Sequence, residues 1–426
     1  MTKLSRRSFT KGVAAAALLS AAAGCRTSLI GSGRKKRVAI IGTIVRKFSH
    51  AQHFVDRLLE GYGWEGRHHH PDMELASLYI DQFPEGDLAR ERSKRRGVPL
   101  YPSVEEALTL GKSKLAVDAV LIIGEHGNYP KNEKGQTLYP RYKWFKQTVG
   151  VFEASRRAVP VFNDKHLSTT WPECQEMVAD SRRLGFAFMA GSSLPVTWRI
   201  PSIDFPLNAP LRESLCVCYG GVDSYDFHGL ETAQCMDERR AGGESGVKAI
   251  QAIRGEKLWT VLQERELTRK LMFSALARSH TVRGRPGYTY AIPDMDWLRE
   301  ASTNPVGYFI EHTDGLVTTM LLLNNLVTDF TYAGALRDSD EIVSCQMHLP
   351  MPPRYTTLPN FFNPLMHRVE EMILTRRVPY PVERTLLTSG MTLFAVESLH
   401  QDSKRLETPE LAVAYAAPRQ STFWRS

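Results

Sequence analysis

Three places in this 426-residue chain combine residue types and spacing that can do chemistry. The first is Val159-Pro-Val-Phe-Asn-Asp164-Lys165-His166-Leu-Ser168, a short apolar run that delivers an acid, an amine and an imidazole in succession. A Lys at the carboxyl end of a buried parallel strand points into the crevice where such sheets bind ligands. The second is Gly220-Gly-Val-Asp223-Ser224-Tyr-Asp226-Phe-His228-Gly-Leu-Glu231. On a helix, His228 and Glu231 lie one turn apart on one face, so the carboxylate sets the tautomer of an imidazole that works as general base or hydroxyl ligand. A helix-start His satisfied by the neighbouring acids is the alternative. The third is Gly42-Thr43-Ile44-Val-Arg46-Lys47, which closes an apolar run. A glycine there lets a phosphate approach backbone N–H groups at a helix N-terminus; Ile44 obstructs that approach, and Arg46 and Lys47 offer charge instead.

Two acids stand at other strand ends. Asp81 is placed either to accept hydrogen bonds from a ribose diol or to serve as a turn acid before Pro84 and Gly86. Glu125 and His126 follow Gly124 and face the same crevice, with a plain loop His as the other reading of His126. No metal site is expected. Cys216 and Cys218 share one face of a strand without a second pair, and His68-His69-His70 are neighbours in a loop beside Pro71 and Asp72. The six cysteines are too few and scattered for a disulfide framework and read as buried thiols. Trp144, Trp171, Trp198 and Tyr219 read as core rather than as sugar platforms.

The elements that must position these residues alternate. Arg37 to Gly42 reads as a buried parallel strand, and Ser49 with Gln52 caps a helix carrying Ala51, Phe54, Val55, Leu58 and Leu59 at helical spacing. Strands at 73–81, 117–123 and 159–163 follow, with helices capped by Ser103 and Glu106 and at 139–157, which describes a doubly wound parallel sheet. The loops 61–72 and 127–141 are long and are expected to line a site. After a helix at 170–185 and a strand at 186–189, strands near 214–219, 248–254, 306–312, 316–323, 330–336 and 341–349 come with few helices between them. They suggest a mostly antiparallel open sheet covered by helices at 225–240 and 257–277, with two terminal helices at 359–375 and 383–400 packing back.

The segment around Lys165 resembles the Glu-Lys-Pro motif of the Gfo/Idh/MocA family, the glucose-fructose oxidoreductase and inositol dehydrogenase group, with Asp164 for Glu and His166 for Pro. The segment around His228 is similar to that family's Asp-x-x-x-His helix start, with Ser224 at the earlier Asp and Glu231 at the later one. The stretch from Pro381-Val-Glu383-Arg384 to Thr408-Pro409 is similar to its closing helix and tail. The resemblance spans most of residues 37–415 and departs from the family at Ile44, Lys47, His166 and Ser224. It implies a Rossmann-like domain at 37–167, a substrate domain at 168–415, and a tail at 416–426. It further implies hydride transfer between a sugar or polyol carbon and NAD or NADP, NAD being favoured by Asp81. Lys165, His228 and Glu231 are then catalytic, and Gly42, Thr43, Asp81, Glu125 and Asp164 hold the cofactor. The rival expectations are a sugar-binding protein that has lost hydride transfer, and a sugar lyase or hydrolase using bound NAD transiently.

Ser5-Arg6-Arg7-Ser8-Phe9-Thr10-Lys11, followed by the apolar stretch Val13 to Ala23, looks like a twin-arginine export signal within residues 1–30, ahead of a linker at 31–36. The apolar segment is too short to span a bilayer, and Ala22-Ala23-Gly24-Cys25 resembles a lipoprotein ending that would anchor Cys25. The expected partners are therefore the twin-arginine translocase, a lipid at Cys25, a small sugar or polyol and further copies of the chain, outside the cytoplasmic membrane. The formal net charge is +8, but nine Lys or Arg and no acid precede Val38, leaving about −1 for the remainder. A body that is nearly neutral argues against a nucleic-acid partner.

Overall fold

The first sheet grows from short runs that are apolar on both faces. In the computed structural model, which describes residues 34–289, 294–337 and 339–425, β1 (Lys36–Gly42) is buried from Val38 onward. The expected leader, with Arg6, Arg7 and Cys25, lies outside the described residues. Ser49 accepts the N–H of Gln52 and so caps α1 (His50–Glu60). A small hairpin, β2 (Tyr62–Trp64) and β3 (Arg67–His69), precedes β4 (Met73–Ile80), α2 (Ala89–Arg96) and α3 (Val104–Thr109), the last capped by Ser103 as its spacing predicts. Then come β5 (Ala119–Ile123), α4 (Arg141–Ser155), β6 (Val161–Asp164), α5 (Trp171–Leu184) and β7 (Phe188–Gly191). The five strands are all parallel in the order β4-β1-β5-β6-β7, and a single parallel bridge from Leu78 to Leu100 extends the β4 edge. This is the Rossmann-like doubly wound sheet read from the sequence.

The second sheet has eight strands. They are β8 (Arg199–Ile200), β9 (Leu211–Cys218), β10 (Val247–Arg254), β11 (Thr303–His312), β12 (Val317–Asn324), β13 (Phe330–Leu336), β14 (Ile342–Met347) and β15 (Leu406–Glu407). Their order is β15-β10-β11-β12-β9-β13-β14-β8, antiparallel at every pair except β12 with β9. One face carries α7 (Glu256–Glu264), α8 (Glu266–Leu276) and α9 (Met295–Ala301), built around Trp259, Leu271, Trp297 and Leu321. The other face receives α6 (Tyr225–Asp237), whose residues from Asp226 onward are all buried.

The two C-terminal helices are α10 (Asn363–Thr375) and α11 (Glu383–His400). The latter packs on α5, α6 and β10 and joins both sheets. Its hydroxyls satisfy strand-end backbone on either side: Thr385 donates to the Ala190 carbonyl at 2.7 Å, Ser389 accepts the Leu167 N–H at 3.1 Å, and Ser398 accepts the Ala252 N–H at 2.9 Å. Close approach needs Gly390, where a Cβ would come within 2.4 Å of Leu411 and 2.8 Å of Trp171. Arg384 and Glu238, both almost fully buried, meet in a two-point ion pair of 2.8 and 2.5 Å. Residues 36–426 form one unit, and the tail is docked through Phe423, which lies beneath Arg199. No helix of the described residues is long and apolar enough to cross a membrane.

Candidate active site

The carboxyl ends of β5, β6 and β7, the start of α1 and the start of α6 converge on a cavity of about 350 Å³. The loop 127–141 lines it through Thr137, Tyr139 and Arg141, as expected. The other long stretch, 61–72, does not line it. It folds into the β2–β3 hairpin, where Tyr62, His69 and the N–H of Asp72 all bond the Glu370 carboxylate on α10. Four residues of the cavity wall have left-handed backbone without being glycine: Phe48, His126, Lys165 and Asp223, with φ of 64°, 61°, 68° and 57°. Strained backbone of this kind gathers at binding and catalytic sites because the surroundings hold it in place.

Lys165 and His228 both line the cavity, one from the end of β6 and the other from α6. The Lys165 backbone N–H bonds the Gly191 carbonyl at 3.0 Å, which fixes the side chain's origin at the sheet's end. Its ammonium donates to Glu125 in a very short ion pair. Burial would lower Lys165, but Glu125 and Asp164 outweigh burial and hold it above its ordinary value, so it is a charged donor rather than a base. Glu125 is likewise kept anionic against its burial, by His50, Lys165 and His126.

The tautomer of His228 follows from its neighbours. Ser192 donates its hydroxyl proton to the Glu231 carboxylate and so accepts from His228 Nδ1, 3.0 Å away. Glu231 itself is 3.4 Å from Nδ1, so Ser192 carries the contact that the sequence assigned to the acid alone. Nδ1 therefore holds the proton, and Nε2 keeps its lone pair with no partner among the described residues. Burial is the main cause that lowers the His228 pKa, which keeps the ring neutral. Gly191 makes room: its φ is 117°, and a Cβ there would lie 2.5 Å from Glu231. Asp226 organises the helix start, accepting the N–H groups of Asp223, Ser224 and Phe227 and the Tyr308 hydroxyl. Asp223, not Ser224, turns its carboxylate toward the site, where it accepts from Gln136 and from the Thr137 N–H.

The cofactor candidates do not gather in the same way. Gly42, Thr43 and Asp81 are not among the residues lining the cavity. Thr43 donates to the Glu125 carbonyl and accepts the Glu125 N–H, tying two loops together. Asp81 accepts from the hydroxyls of Tyr79 and Tyr129, each at 2.7 Å. The Glu125 carboxylate accepts the N–H of His50, the first residue of α1, at 2.5 Å. Asp164 is buried and receives the His50 imidazole, with Nδ1 2.9 Å from both oxygens. His50 and His53, which also line the cavity, were missed in the sequence. Their three-residue spacing at a helix start was the available signal.

The two-sheet fold, with Lys165 and His228 on one cavity, is shared with dehydrogenases of known structure. Among solved structures it is similar to GenD2 from gentamicin A biosynthesis in complex with NAD, with TM-score 0.55, 12% identity, and coverage of 88% of this chain and 98% of that one. It is also similar to myo-inositol dehydrogenase from Lactobacillus casei in complex with NAD(H) and myo-inositol, with TM-score 0.54, 12% identity, and coverage of 87% and 96%. Identities this low show a shared fold. No family model matches the chain, and no curated protein does.

In a doubly wound sheet the pyrophosphate of a dinucleotide rests on the first helix N-terminus, and the adenosine ribose reaches the acid ending the second strand. Here Glu125 occupies the first donor of α1, and two tyrosines occupy Asp81. Arg46 Nη2 lies 3.0 Å from His126 Nδ1, and Gln82 bonds Asn128 in both directions. In this side-chain arrangement the residues do not fit a dinucleotide.

Proposed function

We propose that the chain is an oxidoreductase of Gfo/Idh/MocA type acting on a hydroxyl-bearing carbon of a small sugar or polyol. The observation that carries the reading is the pair of His228 Nε2, an unprotonated acceptor, and Lys165 Nζ, a cation, turned to one cavity of sugar size. His228 takes the proton of the substrate hydroxyl, and Nδ1–H, held by Ser192 and Glu231, stabilises the imidazolium that results. Lys165 donates to the oxygen as negative charge develops on it, in a largely buried site where such a contact is strong. Asp223 and the unpartnered His166 imidazole offer further hydrogen bonds to hydroxyls. The dehydrogenases that share the fold support NAD(P) as the class of redox partner. Binding it requires the Tyr129–Asp81 and Glu125–His50 contacts to part.

The test is a titration of purified protein with NAD⁺ and NADP⁺, followed by turnover on a panel of inositols, hexoses and their reduced forms. Nucleotide binding with turnover that falls by about 10²–10⁴ in His228→Gln supports the reading. Failure of both nucleotides to bind at millimolar concentration favours the second reading, a protein that handles sugar hydroxyls without hydride transfer. The observation behind that second reading is the tract filled by Tyr129, Asn128 and Glu125. We also read residues 1–30 as a twin-arginine leader. Replacing Arg6 and Arg7 with Lys would then hold the protein in the cytoplasm, as cell fractionation would show.

A further inference from the structure

Five of the chain's thirteen histidines line the one cavity: His50, His53, His126, His166 and His228. They stand beside carboxylates that the proton chemistry above does not use. A His50 ring nitrogen, a Glu125 oxygen and an Asp164 oxygen all lie within 4.8 Å of one another. They come from the start of α1 and from the ends of β5 and β6, three elements that the parallel sheet holds together. Ligand atoms around a tetrahedral cation with bonds of about 2.1 Å are about 3.4 Å apart, a spacing this set reaches with small side-chain adjustments.

We propose that His50, Glu125 and Asp164 bind a divalent first-row transition cation. One imidazole with two carboxylates suits Zn²⁺ or Mn²⁺ better than Ca²⁺ or Mg²⁺, which take oxygen ligands, or Cu⁺, which takes sulfur. Three further observations point to a ligand there. Asp164 is fully buried, yet its carboxylate has the His50 nitrogen as its only hydrogen-bond partner among the described residues, too few for a charged group of that capacity. Asp164 and Asp223 both act on the buried Arg141 guanidinium, and Glu125 and Asp164 on the Lys165 ammonium, so carboxyl groups are concentrated here. His166 is 3% exposed, lines the same cavity, and has no hydrogen-bond partner at either ring nitrogen. It is placed to hold a water or hydroxyl that a neighbouring cation would carry. A second cluster, His69, His367 and Glu370, meets the same distance condition. It is the weaker candidate because none of its three residues lines the cavity.

The inference rests on the proposed function only in placing the cation beside the substrate's oxygen, where it would polarise that oxygen together with Lys165. Full-length protein stripped with chelator would be titrated with Mn²⁺, read by electron paramagnetic resonance, and with Zn²⁺, read by calorimetry. The expected result is one tight equivalent, a rise in Tm on loading, and affinity lowered at least tenfold in both His50→Gln and Asp164→Asn but unchanged in Glu370→Gln. No binding of either ion at 1 mM (about a thousandfold above a micromolar site) would overturn it. So would binding lost only in Glu370→Gln. Should the His50 and Asp164 variants not fold, a cobalt-substituted wild type showing no bands from nitrogen and oxygen ligands would do the same. All these measurements are independent of turnover and of nucleotide, so failure of the redox reading leaves them intact.

Discussion

At the scale of single residues, the side chains that face the cavity are held by contacts that make their states predictable. Asp223 is raised to about 6, chiefly by burial and then by Asp226. A carboxyl in the unfolded chain titrates near 4, so between about pH 4 and 6 the folded state binds more protons, and stability falls as pH rises through that window. The loss amounts to about 3 kcal/mol at most. Urea melts across the window should show this slope in the wild type and little of it in Asp223→Asn; equal slopes would refute the assignment. Ser192→Ala removes the acceptor of His228 Nδ1–H while leaving Glu231 3.4 Å away. Nitrogen NMR of the ring is expected to show a mixture of tautomers in that variant and a single one in the wild type, with kcat reduced. That Lys165 and His228 would come to one cavity was legible because each stands in a short motif at an element's edge. Ser192, His50 and Asp223 were not assigned roles, since their roles arise only when strand ends distant in sequence meet.

Secondary-structure elements were legible wherever apolar periodicity marked them, and were lost where it did not. The helix at Ala89–Arg96 is almost wholly charged or polar, with Ala89 its one buried residue, so no apolar stripe announces it. The stretch read as a single helix at 257–277 is two, because Arg265 leaves helical geometry with φ −105° and ψ 88° and starts a new helix in a new direction. The β2 and β3 strands are three residues each, below the length at which alternation can be seen. The element joint of greatest consequence is the buried Arg384–Glu238 pair, which ties α11 to the end of α6. Removing one partner strands the other's charge, so Arg384→Met should cost about 3–5 kcal/mol, and adding Glu238→Gln should recover much of it. Denaturant melts of the two singles and the double give the cycle. Gly191→Ala places a Cβ on Glu231 in a backbone region that disfavours it. A stability loss of about 1–3 kcal/mol is expected in the same assay.

For the molecule as a whole, the resemblance carried by short motifs extended to both sheets, their connectivity and the cleft between them. What it did not convey is how the nucleotide tract is filled, because that depends on the path of the loop 127–141 and not on any local signal. If Tyr129 competes with a dinucleotide for Asp81, Tyr129→Phe should tighten NAD⁺ binding several-fold, as fluorescence titration would read. An unchanged Kd would remove that contact from the account.

The helix that closes both sheets is made after the strand ends whose backbone it satisfies. Until it leaves the ribosome, the Ala190 carbonyl and the N–H groups of Leu167 and Ala252 lack partners, and the inner faces of both halves stay open to water. A product truncated before Glu383 therefore never acquires a finished interior.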